Sequence, residues 1–123
     1  MRHKILKITR KLHALETQRA RLIRVLTRDE PLLVGSLSLV DRTCGKPTCH
    51  CATKPGHPVL TLATRRDARR RCQVVRLDDV NEVRRRVVAY KNFKQVLGEL
   101  AAIEQDEKAL LRGLLEGRNV TYE

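Results

Sequence analysis

The sequence predicts an α+β fold in which two long helices flank a small three-stranded antiparallel sheet. Three observations predict it: aliphatic residues at helical spacing near both ends, an alternating pattern between them, and a cysteine cluster within that middle part. We expect an antiparallel coiled-coil hairpin with a metal-stapled sheet at its tip. Residues 1–123 would form a single domain, made of a helix at 3–28, an insert at 32–77 and a helix at 78–117.

The first helix is predicted over residues 3–28. Its aliphatic residues recur at intervals of three and four, which is the pattern of a buried seam, and Arg19 holds the one seam position that is not apolar. Pro31 ends the helix, because proline disfavours helical conformation at the residue before it. The seam consists of Ile5, Ile8, Leu12, Leu15, Leu22 and Leu26.

Three short strands are predicted between the helices. The segment LLVGSLSLV (32–40) alternates apolar and polar residues in its second half, and the segments at 58–65 and 72–77 follow the cysteine cluster. The last two strands are joined by an arginine-rich loop, RDARRR. A sheet of this size is marginal by itself, so we expect a bound metal to hold it together.

The second helix is predicted to begin with a capping box formed by Asp79 and Glu82. Gly98 and Gly113 lie inside the helix and mark either a close helix contact or a break. The first helix begins basic and the second ends acidic, so an antiparallel hairpin offsets both mismatches with the helix dipoles. The second helix is longer than the first, so part of its aliphatic seam is left unpaired by the first helix and could pair with a second copy. This seam consists of Val80, Val83, Val87, Tyr90, Phe93, Leu97, Leu100, Ile103, Leu110 and Leu114.

Charge is distributed unevenly along this chain of net charge +12. Residues 1–94 carry 23 Lys/Arg against 8 Asp/Glu, whereas residues 95–123 carry 3 against 6. Such a basic excess indicates a polyanionic partner, most often nucleic acid, although a solvated basic surface needs no partner. No signal-peptide pattern or membrane-length apolar run is present, so we expect a cytoplasmic protein with reduced thiols and no membrane partner.

Three of the four cysteines fall within the segment CGKPTCHC, which is typical of a zinc site. Cys44, Cys49, Cys51 and His57 provide the four ligands that a structural Zn2+ ion takes in tetrahedral geometry. Lys46 and Lys54 should favour the thiolate forms of the cysteines. The turns around the ion are assigned to Gly45, Pro47, Pro55 and Gly56.

Other arrangements of this site have to be weighed. Cys72, at the start of the third strand, is the alternative fourth ligand, while His50 is expected to point away from the ion. A disulfide framework disagrees with the reducing compartment. If His57 were not a ligand, three cysteines and a water molecule could form a hydrolytic centre.

The segments GSLSLV and CGKPTCHC, followed by His57, resemble an uncharacterised family of small bacterial proteins whose genes often lie near transposase genes. The resemblance covers about residues 33–97. It implies the same zinc ligands and a mobile-element protein such as a transposase as a partner. This chain departs from the family pattern in lacking the Gly after His57, the strand aromatics and the Gly turn of the hairpin.

We expect no enzyme, because the four ligands close the site and no catalytic metal motif or phosphate-binding loop is present. The function predicted is nucleic-acid binding, with duplex DNA preferred because the chain has only two Tyr and one Phe for base stacking. The alternative is a coiled-coil protein-interaction adaptor. Arginines expected to gather around the zinc tip and bind phosphate are Arg65, Arg66, Arg69, Arg70, Arg71, Arg76, Arg84, Arg85 and Arg86.

Overall fold

A computed structural model describes residues 2–52 and 56–122. The chain is α+β, as predicted, with two helices and a three-stranded antiparallel sheet in the order β1-β2-β3. It divides into two compact units: a helical unit, Met1–Asp29 with Phe93–Glu123, and a sheet unit, Glu30–Asn92. The elements are α1 (Arg2–Leu26), β1 (Ser36–Arg42), β2 (His57–Arg66), β3 (Arg69–Val74) and α2 (Val80–Arg118), with 3₁₀ turns at His50–Ala52 and Leu77–Asp79.

In the helical unit, α1 packs antiparallel against the C-terminal part of α2. A methyl group added at Gly113 would lie 3.2 Å from Ile8 Cδ1, and one added at Gly117 would lie 3.8 Å from Ile5 Cγ1. The predicted α1 seam is confirmed, because all six of its aliphatic residues are buried or half-buried. Arg19, its polar position, is exposed and lies 3.8 Å from a Glu104 carboxylate oxygen.

The α2 seam differs from the prediction at two positions. Leu97 is 44% exposed, whereas Val96 is half-buried. Val96 stands three residues after Phe93, so the strict seven-residue repeat places it on the seam and Leu97 beside it. Glu107 also occupies a seam position, and its Oε1 is buried without a hydrogen-bond partner among the described residues.

The two glycines inside α2 have opposite surroundings, and α2 continues unbroken through both. A Cβ at Gly98 would meet no atom within 4 Å, whereas one at Gly113 would press on Ile8. Gly98→Ala should therefore raise the free energy of unfolding by about 0.5–1 kcal/mol, the helix-propensity difference. Gly113→Ala should raise the free energy of unfolding by less, or lower it, because Ile8 has to move. Thermal unfolding of the two single variants compares them, and equal shifts in melting temperature would contradict this account.

In the sheet unit, the leucines of β1 and β2 face the N-terminal part of α2. Leu37 pairs with Leu62 and Leu39 with Leu60, so all four lie on one face of the sheet. Leu62 is buried, and Leu37, Leu39 and Leu60 line a groove that Val87 also lines. Val87 is only 2% exposed. The extra length of α2 that was predicted to serve a homodimer is therefore covered at Val87 within the sheet unit.

Segment boundaries differ most at the turn between β2 and β3. Asp67 (φ 52°) and Ala68 (φ 65°) form a two-residue turn, and positive φ at both central residues is the type I′ geometry that two-residue hairpins favour. The strands consequently extend to the turn. Arg69, Arg70 and Arg71 lie in β3, not in the predicted loop.

The predicted capping box is not formed at the start of α2. The backbone N–H of Asp79 donates to the carbonyl oxygen of Arg76 (2.9 Å), which closes a 3₁₀ turn before α2. The Glu82 carboxylate, which should accept that N–H, accepts from Arg86 instead at 2.5 Å. An i,i+4 ion pair thus replaces the reciprocal cap.

Candidate metal centre and arginine-rich hairpin

The predicted metal ligands lie in the connection from β1 to β2. Gly45 has φ +82°, a value that suits glycine, and Cys49 N–H donates to the Lys46 carbonyl oxygen at 3.1 Å to close the next turn. At the far end of the connection, a Cβ on Gly56 would collide with the carbonyl oxygen of Arg42. Only glycine fits there. Two glycines thus bring the cysteines back to β2, while Lys54 and Pro55 lie outside the described residues.

Cys44, Cys49, Cys51 and His57 form a compact group of potential metal ligands. Their ligand atoms all lie within 4.8 Å of one another. Cys44 Sγ is 3.3 Å from Cys51 Sγ, and Cys49 Sγ is 3.3 Å from His57 Nε2. In a tetrahedral zinc site, Zn–S and Zn–N bond lengths place ligand atoms about 3.5–3.8 Å apart. The four residues therefore fit one closed tetrahedral site.

Residues around the cluster support this ligand set. Cys51 is 2% exposed, and its sulfur accepts a hydrogen bond from the Cys44 backbone N–H at 3.3 Å. Cys72 pairs with Ala63, six residues along β2 from His57, which corresponds to roughly 20 Å. It is therefore too distant to be the fourth ligand. His50 does not point away, because its ring packs edge-on against His57 with centroids 5.2 Å apart.

The thiols and the imidazole shift one another's ionisation. The pKa of Cys44 is lowered to about 6, first by the backbone N–H of Lys46 and then by the Cys51 side chain. The pKa of Cys49 is lowered, chiefly by the backbone N–H of Cys51. The Cys44 backbone N–H lowers the pKa of Cys51, but burial and the neighbouring thiols outweigh it, so the pKa of Cys51 is raised overall. Hydrogen bonds to Cys44 and then Cys49 raise the pKa of His57.

These shifts predict how zinc affinity depends on pH. Above about pH 6, Cys44 is already a thiolate, so zinc displaces no proton from it. Below that pH the displaced proton makes log affinity fall by about one further unit per pH unit. The raised pKa of His57 adds a similar step at higher pH. Competition with a zinc-binding dye across this pH range measures the slope, and a constant slope through pH 6 would contradict the prediction.

The arginine-rich hairpin lies at the other end of β2 from the metal ligands. His57 is the first residue of β2 and Arg66 the last, so nine steps of about 3.3 Å separate them by roughly 30 Å. The prediction that these arginines gather around the zinc tip is therefore wrong for the hairpin. The turn needs only two residues, so β2 runs straight on to the arginines and keeps them distant from the cluster.

Arginines face arginines across the last two rungs of this hairpin. Arg66 pairs with Arg69, and Arg65 pairs with Arg70. All four are exposed, and none forms an ion pair within residues 2–52 and 56–122. Because side chains alternate along a strand, one pair lies on each face of the hairpin. The structure thus presents four unneutralised guanidinium groups at one tip.

The remaining predicted arginines have different surroundings. Arg71 is bound to Gln73, whose amide oxygen accepts from its Nε and NH2 at 2.9 and 2.8 Å when the amide is oriented towards it. Arg86 pairs with Glu82, and its carbonyl oxygen accepts the Leu33 N–H at 3.0 Å. Arg84 lines the groove between β1 and α2. Three exposed arginines lie outside the hairpin tip: Arg76, Arg84 and Arg85.

Two residues that shape these candidate sites were not predicted from the sequence in the roles that the structure gives them. Lys91 is exposed and lines the same groove as Arg84, which stands seven residues earlier on α2. Two helical turns bring residues seven apart to the same face, so this spacing could have revealed the pair. Gly56 was assigned to a turn, but its role is the close approach to Arg42, which depends on strand register and has no local signal.

The chain belongs to an uncharacterised family: the domain of unknown function DUF6788 matches residues 5–85. The match contains most of α1, all three strands and the four potential ligands, and every predicted arginine except Arg86. The family match therefore begins further towards the N-terminus than the resemblance predicted at about residues 33–97, and it ends earlier, at residue 85. No curated protein and no solved structure matches the chain. Within the described residues, no helix has the length and hydropathy to cross a membrane.

Proposed function

We propose that the protein is a non-catalytic nucleic-acid-binding protein whose β2–β3 hairpin contacts the phosphates of duplex DNA. One observation carries this proposal. At the hairpin tip, Arg66 faces Arg69 and Arg65 faces Arg70, with no acidic partner among the described residues. Like charges directly opposite each other destabilise a pair of strands. A bound polyanion removes that repulsion and supplies the missing partners.

The turn supports the same interpretation. Ala68 holds a positive φ that Gly would adopt at lower cost, and side chains other than Asn and Asp seldom do so. A hairpin selected for stability alone would favour Asp-Gly and opposite charges. Its arginines lie on both faces, so a groove with two phosphate walls fits better than a flat surface. The DNA major groove is about 12 Å wide and admits a two-stranded β-ribbon.

The zinc and the helices have supporting roles in this proposal. A zinc ion held by Cys44, Cys49, Cys51 and His57 would staple β1 to β2, and the closed set of four ligands suits a structural rather than a catalytic site. The α1–α2 pair would act as a coiled-coil hairpin. The resemblance to proteins encoded near transposases makes a mobile-element protein a further candidate partner.

The second candidate function is a protein-interaction adaptor. It is favoured by apolar side chains that α2 leaves exposed, among them Leu97, Leu111 and Leu115. In that case the arginines would be a solvated surface and the helices would bind the partner.

Salt dependence separates the two functions. Binding of the zinc-loaded protein to a labelled DNA duplex should weaken as salt rises, because each phosphate contact releases counterions. Four arginine contacts predict a slope of log affinity against log salt of about −4, at roughly −0.9 per contact. Fluorescence anisotropy measures this slope, with duplex RNA and single-stranded DNA as comparisons. A slope near zero, or no duplex binding at low salt, would favour the adaptor.

A further inference from the structure

The helical unit has an apolar face outside its seam. Five large aliphatic side chains on its helices are between 38 and 71% exposed, so the seam itself leaves them uncovered. In the seven-residue repeat, lettered a to g with the seam at a and d, each of them falls at position e or b. Positions e and b are adjacent on a helix, and in an antiparallel pair the e positions of both helices flank the same side of the seam. The five, called the e/b face, are Leu6, Ile23, Leu97, Leu111 and Leu115.

The opposite side of the seam is mainly charged, with one small apolar depression around Ala14 and Ala109. Positions g and c carry basic residues on α1 and acidic residues on α2, and none of the exposed large apolar side chains falls there. Opposite charges across the two helices can interact within the unit and need no further partner. The large exposed apolar side chains of the helical unit are therefore confined to one side. The residues that define the charged side are Lys4, Lys7, Lys11, Arg21, Glu99, Asp106 and Glu116.

The order of residues along the e/b face is self-complementary. The contacts of Ile5 with Gly117 and of Ile8 with Gly113 fix the antiparallel register. In that register, Leu6, Leu111 and Leu115 cluster at one end of the face, and Ile23 with Leu97 lies at the other. A two-fold axis perpendicular to the helices brings the first cluster of one copy onto the second cluster of the other.

Charged residues between the two apolar ends obey the same symmetry. In the register above, Lys108 and His13 lie slightly to one side of the centre, and Glu16 and Glu104 lie slightly to the other. The two-fold axis therefore places Lys108 of one copy opposite Glu104 of its partner and His13 opposite Glu16, and it does so twice. A charge pattern that complements itself identifies a second copy as the occupant better than an unrelated helix.

We propose that the e/b faces of two copies pair across this two-fold axis to form an antiparallel four-helix assembly. The interface uses the side of the helical pair, not the extra length of α2 on which a homodimer was expected from the sequence. It does not depend on nucleic-acid binding, and the tests below use nuclease-treated protein at high salt. Failure of the proposed DNA binding would leave this inference standing.

Sedimentation with matched charge variants tests the face. Wild-type protein should sediment as a dimer, and Leu111→Glu with Leu115→Glu should shift it to monomer. Gln95→Glu with Ala102→Glu adds the same charge to exposed c positions of α2 and should leave the dimer intact. Circular dichroism checks that both variants stay helical. A monomeric wild type, or equal loss of the dimer in both variants, would overturn the proposal.

Cross-linking tests the orientation of the two copies. Leu97 and Leu115 lie 18 residues apart on α2, or roughly 27 Å, in one chain, and the two-fold axis places Leu115 of one copy opposite Leu97 of the other. A disulfide needs Cα atoms within about 7 Å, so Leu97→Cys with Leu115→Cys can only link two chains. In a zinc-loaded Cys72→Ser background, this double variant should form a covalent dimer, and neither single variant should. Equal cross-linking by a single variant would exclude the antiparallel arrangement.

Discussion

Cys49→Ser should abolish zinc binding and unfold the sheet unit while leaving the helical unit folded. Cys49 Sγ lies 3.3 Å from His57 Nε2, so Cys49 is in direct contact with the imidazole that begins β2. Without this ligand, a bound metal would no longer tie the connection between β1 and β2 to the start of β2. The sheet buries only Leu62 among its strand residues, and β3 is exposed throughout. Structural zinc contributes about 10–16 kcal/mol in comparable small sites, far more than such a sheet can supply by apolar burial.

The readouts for this variant are zinc content and the amide spectrum. Wild-type protein should contain one zinc per chain, and Cys49→Ser should contain none and lose the dispersed amide resonances of the strands. Cys72→Ser is the matched control, because Cys72 is exposed on β3 and distant from the cluster. It should keep both zinc and the strand resonances. Stoichiometric zinc in a Cys44→Ser, Cys49→Ser double variant would contradict the assigned site.

The helices could be predicted because their signal is local. Six aliphatic residues at intervals of three and four determine which side of α1 is buried, and the structure buries that side. The prediction was wrong at Leu97 because a neighbouring valine is also apolar, and composition alone does not distinguish them. The position within the seven-residue repeat distinguishes the two residues. Val96 keeps the repeat between Phe93 and Leu100, whereas Leu97 breaks it.

The metal cluster was predictable for the same reason. Cys44, Cys49 and Cys51 are close in sequence, and the nearby His57 completes the group that the structure brings together. A short connection between two strands leaves few other arrangements for these side chains. The predicted preference for His57 over Cys72 agrees with strand pairing, which places Cys72 opposite Ala63.

The arginine arrangement could not be predicted, because it depends on pairing between strands. The sequence predicted a loop over residues 66–71, with its arginines near the cysteines. A loop and a hairpin have the same composition here, and the segment has no Gly to indicate a tight turn. The structure makes the turn with Asp67 and Ala68 at positive φ, and that choice alone sets which arginines face each other. It also places them at the far end of β2 from the potential metal ligands.

Replacing one arginine of a facing pair by glutamate should stabilise the hairpin and weaken DNA binding at the same time. In Arg70→Glu the new carboxylate lies directly opposite Arg65. Opposite charges across a strand pair contribute roughly 0.2–1 kcal/mol, and the original repulsion is removed as well. The melting temperature should therefore rise slightly and zinc content should not change. The variant should nevertheless bind duplex DNA much more weakly, because one phosphate contact is lost and the introduced carboxylate neutralises the charge of Arg65.

Two alanine pairs establish whether both faces of the hairpin contact DNA. Arg66→Ala with Arg69→Ala removes one facing pair, and Arg65→Ala with Arg70→Ala removes the pair on the other face. If the hairpin lies in a groove, each double variant should reduce the slope of log affinity against log salt by about two units. If the hairpin instead lies flat on the DNA, only one of the two double variants should reduce the slope of log affinity against log salt.

The control for these variants removes the same positive charge from the helical unit. Lys4→Ala with Lys11→Ala neutralises two exposed side chains on the face proposed to complement the acidic residues of α2. It should lower the melting temperature slightly and change the salt slope by less than about half a unit, because net charge alone acts weakly beyond the Debye length. Thermal unfolding and fluorescence anisotropy on the same preparations give both quantities. If the lysine pair weakens duplex binding as much as the arginine pairs do, the attraction comes from overall charge and the hairpin has no specific role. A stabilised Arg70→Glu that still binds with the wild-type slope would remove the hairpin from the interface altogether, since its repulsive pairs would then lack the partner proposed to offset them.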